Sequence, residues 1–505
     1  MKQSILAIGV AGLLLSGVMF APQSAQAQAN IFKAAYTAQP PTLDVMMSTT
    51  TAARQIAIYL FENLVTIGED YGVIPQLAES WEVSSDGTLY TFKIRSGIKF
   101  HDGSDLDAED VKASYERFKA SPSGSRLAFI QSIKVTGPLT LEIQCEGRNL
   151  LLESLAMPLP YVSILPSEII AKYGQDQMKG KDVIGTGPVS LIKWTPDVAI
   201  RLGKFKDYKP DTRYKGTNGM GGHRVINFDE IQIIPSGEAA ARLAGIETGD
   251  FDFGEDLPVN AYQAMLDNKD INPAILKPKW GITMPINKST YPTSDKYFRQ
   301  ALMAAMDSKQ ILNAVTLGDA RFHRQNHSIY TPEQAAFYVS DPEPAYFDPQ
   351  DLAKAKELLG KAGYKGEEMI YICNRDYDWM YKTCLPLAAQ WKAAGINVNL
   401  QFMDWPSSVQ MLRNQEGWHV HQSGMSPRFD PATNIAIMNG EKTASSRWYD
   451  NPQMNVLYKD MSVSAPLKDR QVAWNKIQKL FWEDNVLLRV GDIFGLDAVR
   501  TSVKG

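Results

Sequence analysis

The chain has 505 residues, 44% of them hydrophobic and 21% charged, with a formal net charge of −4 at pH 7. There is no basic excess to bind a phosphate backbone, which sets nucleic acid aside as a partner. Three cysteines in so long a chain also set aside a fold that rests on a disulfide framework.

The first residues address the compartment. Lys2 supplies a short positive start and residues 5–20 form a mostly apolar run. Two overlapping A-x-A patterns, Ala25-Gln-Ala27 and Ala27-Gln-Ala29, then offer cleavage sites. This order reads as a secretory signal peptide over 1–27, cleaved after Ala27 or Ala29. The apolar run falls short of the ~20 residues that a spanning helix needs, and no comparable run follows. The first cysteine, Cys145, stands too far along to carry a lipid. The expectation is a soluble periplasmic protein. Roughly 480 residues remain after cleavage, enough for two or three domains at ~150 residues each.

Strand-like and helix-like segments then alternate irregularly, without an internal repeat or a low-complexity linker. Residues 80–95 read as a hairpin turning at Asp86-Gly87, with Leu89, Thr91 and Lys93 alternating against Tyr90, Phe92 and Ile94. A helix follows from Asp107, whose side chain can cap it, while Glu109 and Asp110 suit the positive end of its dipole. Its apolar stripe is Val111, Ser114, Tyr115 and Phe118. The stretch 139–145 reads as a strand holding Cys145. Further helices are expected over 295–314, 348–362, 386–394 and 467–482, with glycine caps at Gly363 and Gly395. The helix, glycine, strand order at 386–402 is the αβ unit of an open sheet covered by helices. Cys373 and Cys384 are close enough in sequence to close a small loop.

Catalytic motifs are missing: there is no G-x-S-x-G, H-E-x-x-H, G-x-x-x-x-G-K-[ST] or C-x-x-C. Gly185-Thr-Gly187-Pro188 looks like part of a nucleotide loop, but Pro188 lacks the needed N–H and the third glycine is absent, so it reads as a tight turn. The acid-dense stretch 101–110 does not space its carboxylates as a calcium loop does. His419 and His421, or His323 and His327, are spaced to share a face and hold a transition metal or a metal chelate. No carboxylate or thiol accompanies either pair at matching spacing. The expectation is no metal, no cofactor and no enzymatic activity.

The stretch 78–103, with Trp81, Asp86, Gly87, Tyr90, Phe92, Gly97, Phe100, His101, Asp102 and Gly103, resembles the signature of the family 5 extracellular solute-binding proteins. These are the peptide, opine and nickel receptors of ABC importers. The likeness continues through Ala108-Glu-Asp110-Val111. It recurs at Gly185-Thr-Gly187-Pro188, where Val189 replaces the family's tyrosine, and at 298–307, 353–364 and Asp430-Pro431, along nearly the whole mature chain. The resemblance implies an α/β protein of type II-like, cluster C periplasmic-binding architecture: two lobes, a hinge and an extra domain. The first lobe is then expected over 28–61, 187–281 and 477–505, with the extra domain at 62–186 and the second lobe at 282–476. It further implies a monomeric receptor that closes on a small-molecule ligand and presents it to an inner-membrane ABC permease.

In peptide-carrying members an aspartate just before the D-P pair holds the peptide's amino terminus. Here that position falls near Pro427, with Arg428 beside it, a departure that favours an anionic, amino-acid-derived or opine-like solute over an ordinary peptide. Arg428 and Arg375 are the candidate anion clamps. Trp405, Tyr377, Met425 and Ser426 are the candidate walls on the second lobe, and Met47 and Ser48 those on the first. Ordinary di- and oligopeptides are the alternative cargo, and a metal chelate ranks below them. A secreted hydrolase and a chemoreceptor's sensing partner are the readings from other classes.

Overall fold

The structure, a computed structural model, describes residues 29–48, 50–157, 161–340, 347, 350–426, 429–431, 440–444, 446–463 and 467–504. The expected leader at 1–27 lies outside these residues. Where local signals are strong, local structure follows them. The 80–95 hairpin forms as Ala78–Val83 and Leu89–Ile94, with Gly87 at φ +74° in its turn. Tyr90, Phe92 and Ile94 face inward and are buried. Thr140–Cys145 and Ile130–Gly137 complete a four-stranded antiparallel sheet, in the order 78–83, 89–94, 140–145, 130–137.

The helix Ala108–Ala120 packs beside this sheet. Asp107 accepts the N–H groups of Glu109 and Asp110, and the Asp110 carboxylate accepts the Asp107 N–H, a reciprocal capping box. Its expected stripe, Val111, Ser114, Tyr115 and Phe118, is fully buried. Two further acids of the 101–110 stretch are also engaged: Asp102 accepts from Ser104, and Asp105 pairs with Lys99 at 2.9 Å. Gly185 and Gly187 pass so close to the end of the helix Thr51–Leu60 that a β-carbon on either would meet the Leu60 or Tyr59 carbonyl oxygen, respectively, at 2.2 Å. The tight turn is therefore a packing requirement.

A nine-stranded mixed sheet joins the two halves of the molecule. Its path runs Ser423–Met425, Ile271–Pro285, Leu487–Arg500, Phe253–Gly254, Ile31–Tyr36, Glu230–Pro235, Ala199–Lys204, Val189–Thr195, with His323–Arg324 paired off Leu487–Arg500. The two long antiparallel strands, Ile271–Pro285 and Leu487–Arg500, cross between lobes. Their register shifts between Leu276 and Trp280. On one side of that shift Ile271, Leu496 and Ala498 join a core with Ile246 and Leu257. On the other side Ile282, Met284 and Leu488 join the large second-lobe core. The remaining core runs from Ala34 to Ile233 and includes the four-stranded sheet. This is a two-lobed α/β architecture with an additional antiparallel body on the first lobe.

Two sequence expectations need correction. The helix expected over 295–314 is two helices, Lys296–Ala304 and Ser308–Val315. Asp307 breaks the run because its carboxylate caps the second by accepting the Gln310 N–H at 2.8 Å. The helix expected from Pro386 starts eight residues earlier, as Asp378–Ala393, with Pro386 inside it. Ile477, Phe481, Trp482, Leu487, Val490 and Ile493 all pack in the second-lobe core. The apolar face of the helix Leu467–Asp484 lies there, and Phe494 joins the core of Ile246 and Leu257.

Candidate ligand-binding site

The second lobe carries a three-stranded parallel sheet in the order Val398–Met403, Met369–Asn374, Val420–His421. Ligands of open α/β sheets bind beyond the carboxyl ends of the strands, where the loops diverge. Arg375 and Tyr377 follow the middle strand, Trp405 follows one neighbour, and Met425 and Ser426 follow the other. The structure therefore gathers the described second-lobe candidates at one end of one sheet. That end faces the first lobe. Phe429, a few residues on, lies 6.2 Å ring to ring from Tyr71, and Arg470 bridges Asp430 to Glu153 of the other half. Arg428 and Pro427 lie outside the described residues.

The turn at 374–377 is built by its polar side chains. Asn374 accepts the N–H groups of Asp376 and Tyr377 at 2.8 and 3.1 Å, and donates to the Met403 carbonyl at 3.2 Å. Asp376 accepts the Trp405 N–H at 2.8 Å, tying two strand-end loops together. Asp378 pairs with Lys382 at 2.6 Å. Both acids beside Arg375 are thus engaged elsewhere. The exposed Arg375 guanidinium lies over the Phe402 ring at 4.3 Å, with no carboxylate partner among the described residues. Tyr377, 43% exposed, meets Trp405 edge-on at 5.5 Å. Trp405 in turn rests near His421 at 6.1 Å, and Trp418 backs the same histidine. Burial, reinforced by the Arg447 charge, pushes His421 down to about 4, so it is neutral at pH 7.

Met425 pairs with Gly281 of a crossing strand. The neighbouring Trp280 stacks on Trp379 at 6.4 Å and 19°, and Trp379 lies so close to Gly424 that a β-carbon there would sit 2.6 Å away. Neither Trp280 nor Trp379 was among the sequence candidates. Trp379 had a signal, standing four residues after Arg375, but Trp280 is nearly a hundred residues away and only strand pairing brings it in.

Behind Met425 and Ser426 is a crevice of about 10 Å³, the space of one water, lined by Gly281, Arg489 and Asp492 among others. The charges there answer each other. Arg489 pairs with Asp492, while Arg324 reaches Asp492 at 2.9 Å and Glu333 at 2.8 Å. The hydrogen bond from Arg324 holds Glu333 down at about 2. This balanced cluster braces the crossing strand and offers no surplus cation.

On the first lobe, Met47 ends a short turn and Ser48 precedes the helix Thr51–Leu60, its hydroxyl bonded to Thr50 at 3.0 Å. Asp44 just ahead is buried against Arg117 at 2.7 Å and accepts the Met178 N–H at 3.1 Å. Two of the four histidines of the candidate pairs are engaged within the fold. His419 accepts the Ile370 N–H at 2.9 Å and donates to the Tyr291 carbonyl at 3.1 Å, which uses both ring nitrogens. His323 bonds Thr316 at 2.8 Å. Among the described residues no group of three or more His, Cys, Asp or Glu is placed to hold a metal ion.

The model of the bacterial extracellular solute-binding proteins, family 5 Middle, matches residues 72–447. A probable peptide ABC transporter periplasmic-binding protein of Sinorhizobium fredii is 25% identical over 466 residues, covering 87% of this chain and 84% of its own length. A glutathione-binding protein of Salmonella paratyphi A is 24% identical over 471 residues, covering 88% and 85%. The structure of the PBP AgaA in complex with agropinic acid, from A. tumefacien R10, superposes with a TM-score of 0.78 at 23% identity and covers 94% of each chain, which shows the shared fold.

Proposed function

This chain belongs to the bacterial extracellular solute-binding proteins of family 5, and we propose that it is the periplasmic receptor of an ABC importer for a small anionic, opine-like or peptide-like solute. The observation that carries the anionic reading is Arg375. Its guanidinium stands at the sheet's carboxyl end with both neighbouring acids paired elsewhere, so a ligand carboxylate would supply the missing partner. Trp405 and Tyr377 would wall the apolar part of the cargo, Met425 and Ser426 its other side, and Met47 and Ser48 would meet it from the first lobe. Arg428, argued from sequence alone, is the second clamp in this reading.

The lobes in this proposal are 28–61, 187–281 and 494–505 for the first, with the extra domain at 62–186, and 282–493 for the second. Cargo touching both lobes favours the closed form over the open one, and the permease reads that difference. The protein acts as an exported monomer and releases its cargo unchanged. Its relatives are named for binding, and among the described residues no helix is long and apolar enough to cross a membrane. Ordinary short peptides are the second reading, supported by the relative named for peptide transport and weakened by the missing acid near Pro427.

Calorimetric titration with an opine, a dipeptide and the dipeptide's C-terminal amide tests the reading. Arg375→Ala is expected to weaken binding of the acids about 10- to 100-fold, the size of a charge-assisted hydrogen bond, and to leave the amide's affinity unchanged. Unchanged affinity for every acid that the parent protein binds would sink the clamp. Turnover of any of these compounds would sink the receptor reading.

A further inference from the structure

Arg375 lies inside a covalent ring. Cys373, the penultimate residue of the strand Met369–Asn374, is bonded to Cys384 in the second turn of the helix Asp378–Ala393, eleven residues away. Both cysteines are buried, at 1% and 0% exposure, beneath the turn and within the second-lobe core. The ring encloses Asn374, which shapes the turn, and Asp376, which holds the Trp405 backbone. It also encloses Trp379, which stacks on Trp280 of the crossing strand. The strand end and the helix start are therefore tied at the point where the exposed Arg375 emerges. Without the bond, the turn depends on a few hydrogen bonds at the solvent-facing end of a helix, the kind of element that opens locally at low cost.

We propose that the Cys373–Cys384 disulfide is a positioning element of the cargo site, holding the Asn374–Asp376 turn so that Arg375 and Trp405 stand ready before cargo arrives. The consequence for affinity rests on the reading of Arg375 as the clamp. A turn ordered in advance costs less to order on binding, so the bond raises affinity as well as stability. Burial of both sulfurs makes it a lasting brace. The third cysteine, Cys145, is buried in the other half of the molecule and takes no part.

Amide hydrogen exchange on the cargo-free protein tests this directly. Two preparations are compared with the parent: C373A/C384A, and the parent protein reduced with a trialkylphosphine in mild urea and returned to buffer under reductant. In that reduction the phosphine becomes its oxide, water supplies the oxygen and both protons, and two thiols form, to be counted by alkylation. Exchange in peptides covering 374–380 is expected to quicken about five-fold or more, with the helix Ala108–Ala120 unchanged. Unaltered exchange over 374–380, or acceleration spread evenly through 398–403 and 420–421, overturns the positioning role. If the alanine pair does not fold, the reduced parent protein decides. Binding of the same dipeptide and its amide is then measured, and the preference for the acid is expected to shrink several-fold. The exchange result holds whether or not Arg375→Ala weakens binding, so the two claims fail separately.

Discussion

An arginine on an aromatic face with its neighbouring acids already paired is a different object from an arginine in a salt bridge. Arg324 and Arg375 illustrate the contrast. Arg324 meets Glu333 and Asp492 and serves the fold, whereas Arg375 meets Phe402 and keeps its fork of donors. Removing Arg375 should hardly alter stability, within about 0.5 kcal/mol, because it is exposed. His421 makes the opposite prediction. Burial lowers it from 6.5 to about 4, and the same holds for His101. The unfolded chain then binds more protons than the folded one between those values, so stability is complete above pH 6.5 and is lost as the pH falls towards 4. Each histidine should cost about 2 kcal/mol by pH 5. Urea titrations at pH 7.5 and 5 should show the loss, and His421→Phe should remove its share. An equal acid penalty in that variant would dismiss the assignment.

At the scale of elements, the loop that carries Met47 and Ser48 is anchored by a buried ion pair. The side chains of Asp44 and Arg117 are at most 1% exposed, and Arg117 also donates to the Gly174 and Asp176 carbonyls at 2.7 and 2.9 Å. Breaking one partner of such a pair strands a charge, at a cost of about 3–5 kcal/mol. Arg117→Met should therefore lower the denaturation midpoint sharply, and a change below 1 kcal/mol would show that water reaches the pair. The surface cap of the helix Ala108–Ala120 matters less. Asp107→Ala should cost about 1 kcal/mol, measured by the same titration.

At the scale of the molecule, two large cores are linked by two crossing strands whose register shifts between them. Such a chain need not melt as one unit. A ligand that bridges the lobes should stabilise the folded protein by roughly 2.7 kcal/mol at a hundred-fold excess over Kd, raise the thermal midpoint of both lobes, and reduce the radius of gyration in solution scattering. Stabilisation of one lobe alone, with no compaction, would mean that cargo sits on a single lobe.

Much of the frame was legible in the sequence because its signals are local. The Asp86-Gly87 turn, the Asp107 cap, the glycine ends at Gly363 and Gly395 and the family signature over 78–103 each act within a few residues. The partners that complete the site act across the chain. Trp280 reaches Trp379 only because Ile271–Pro285 pairs with Ser423–Met425. Arg375 keeps no carboxylate partner among the described residues because Lys382 takes Asp378 and Asp376 accepts the Trp405 N–H. The helix Leu467–Asp484 joined the second lobe because its apolar face found that core, which periodicity cannot choose. Sequence by itself determined the family and the two-lobed α/β fold. Tertiary structure decided which charges are left without partners, since pairing depends on distances between residues that the chain order does not contain.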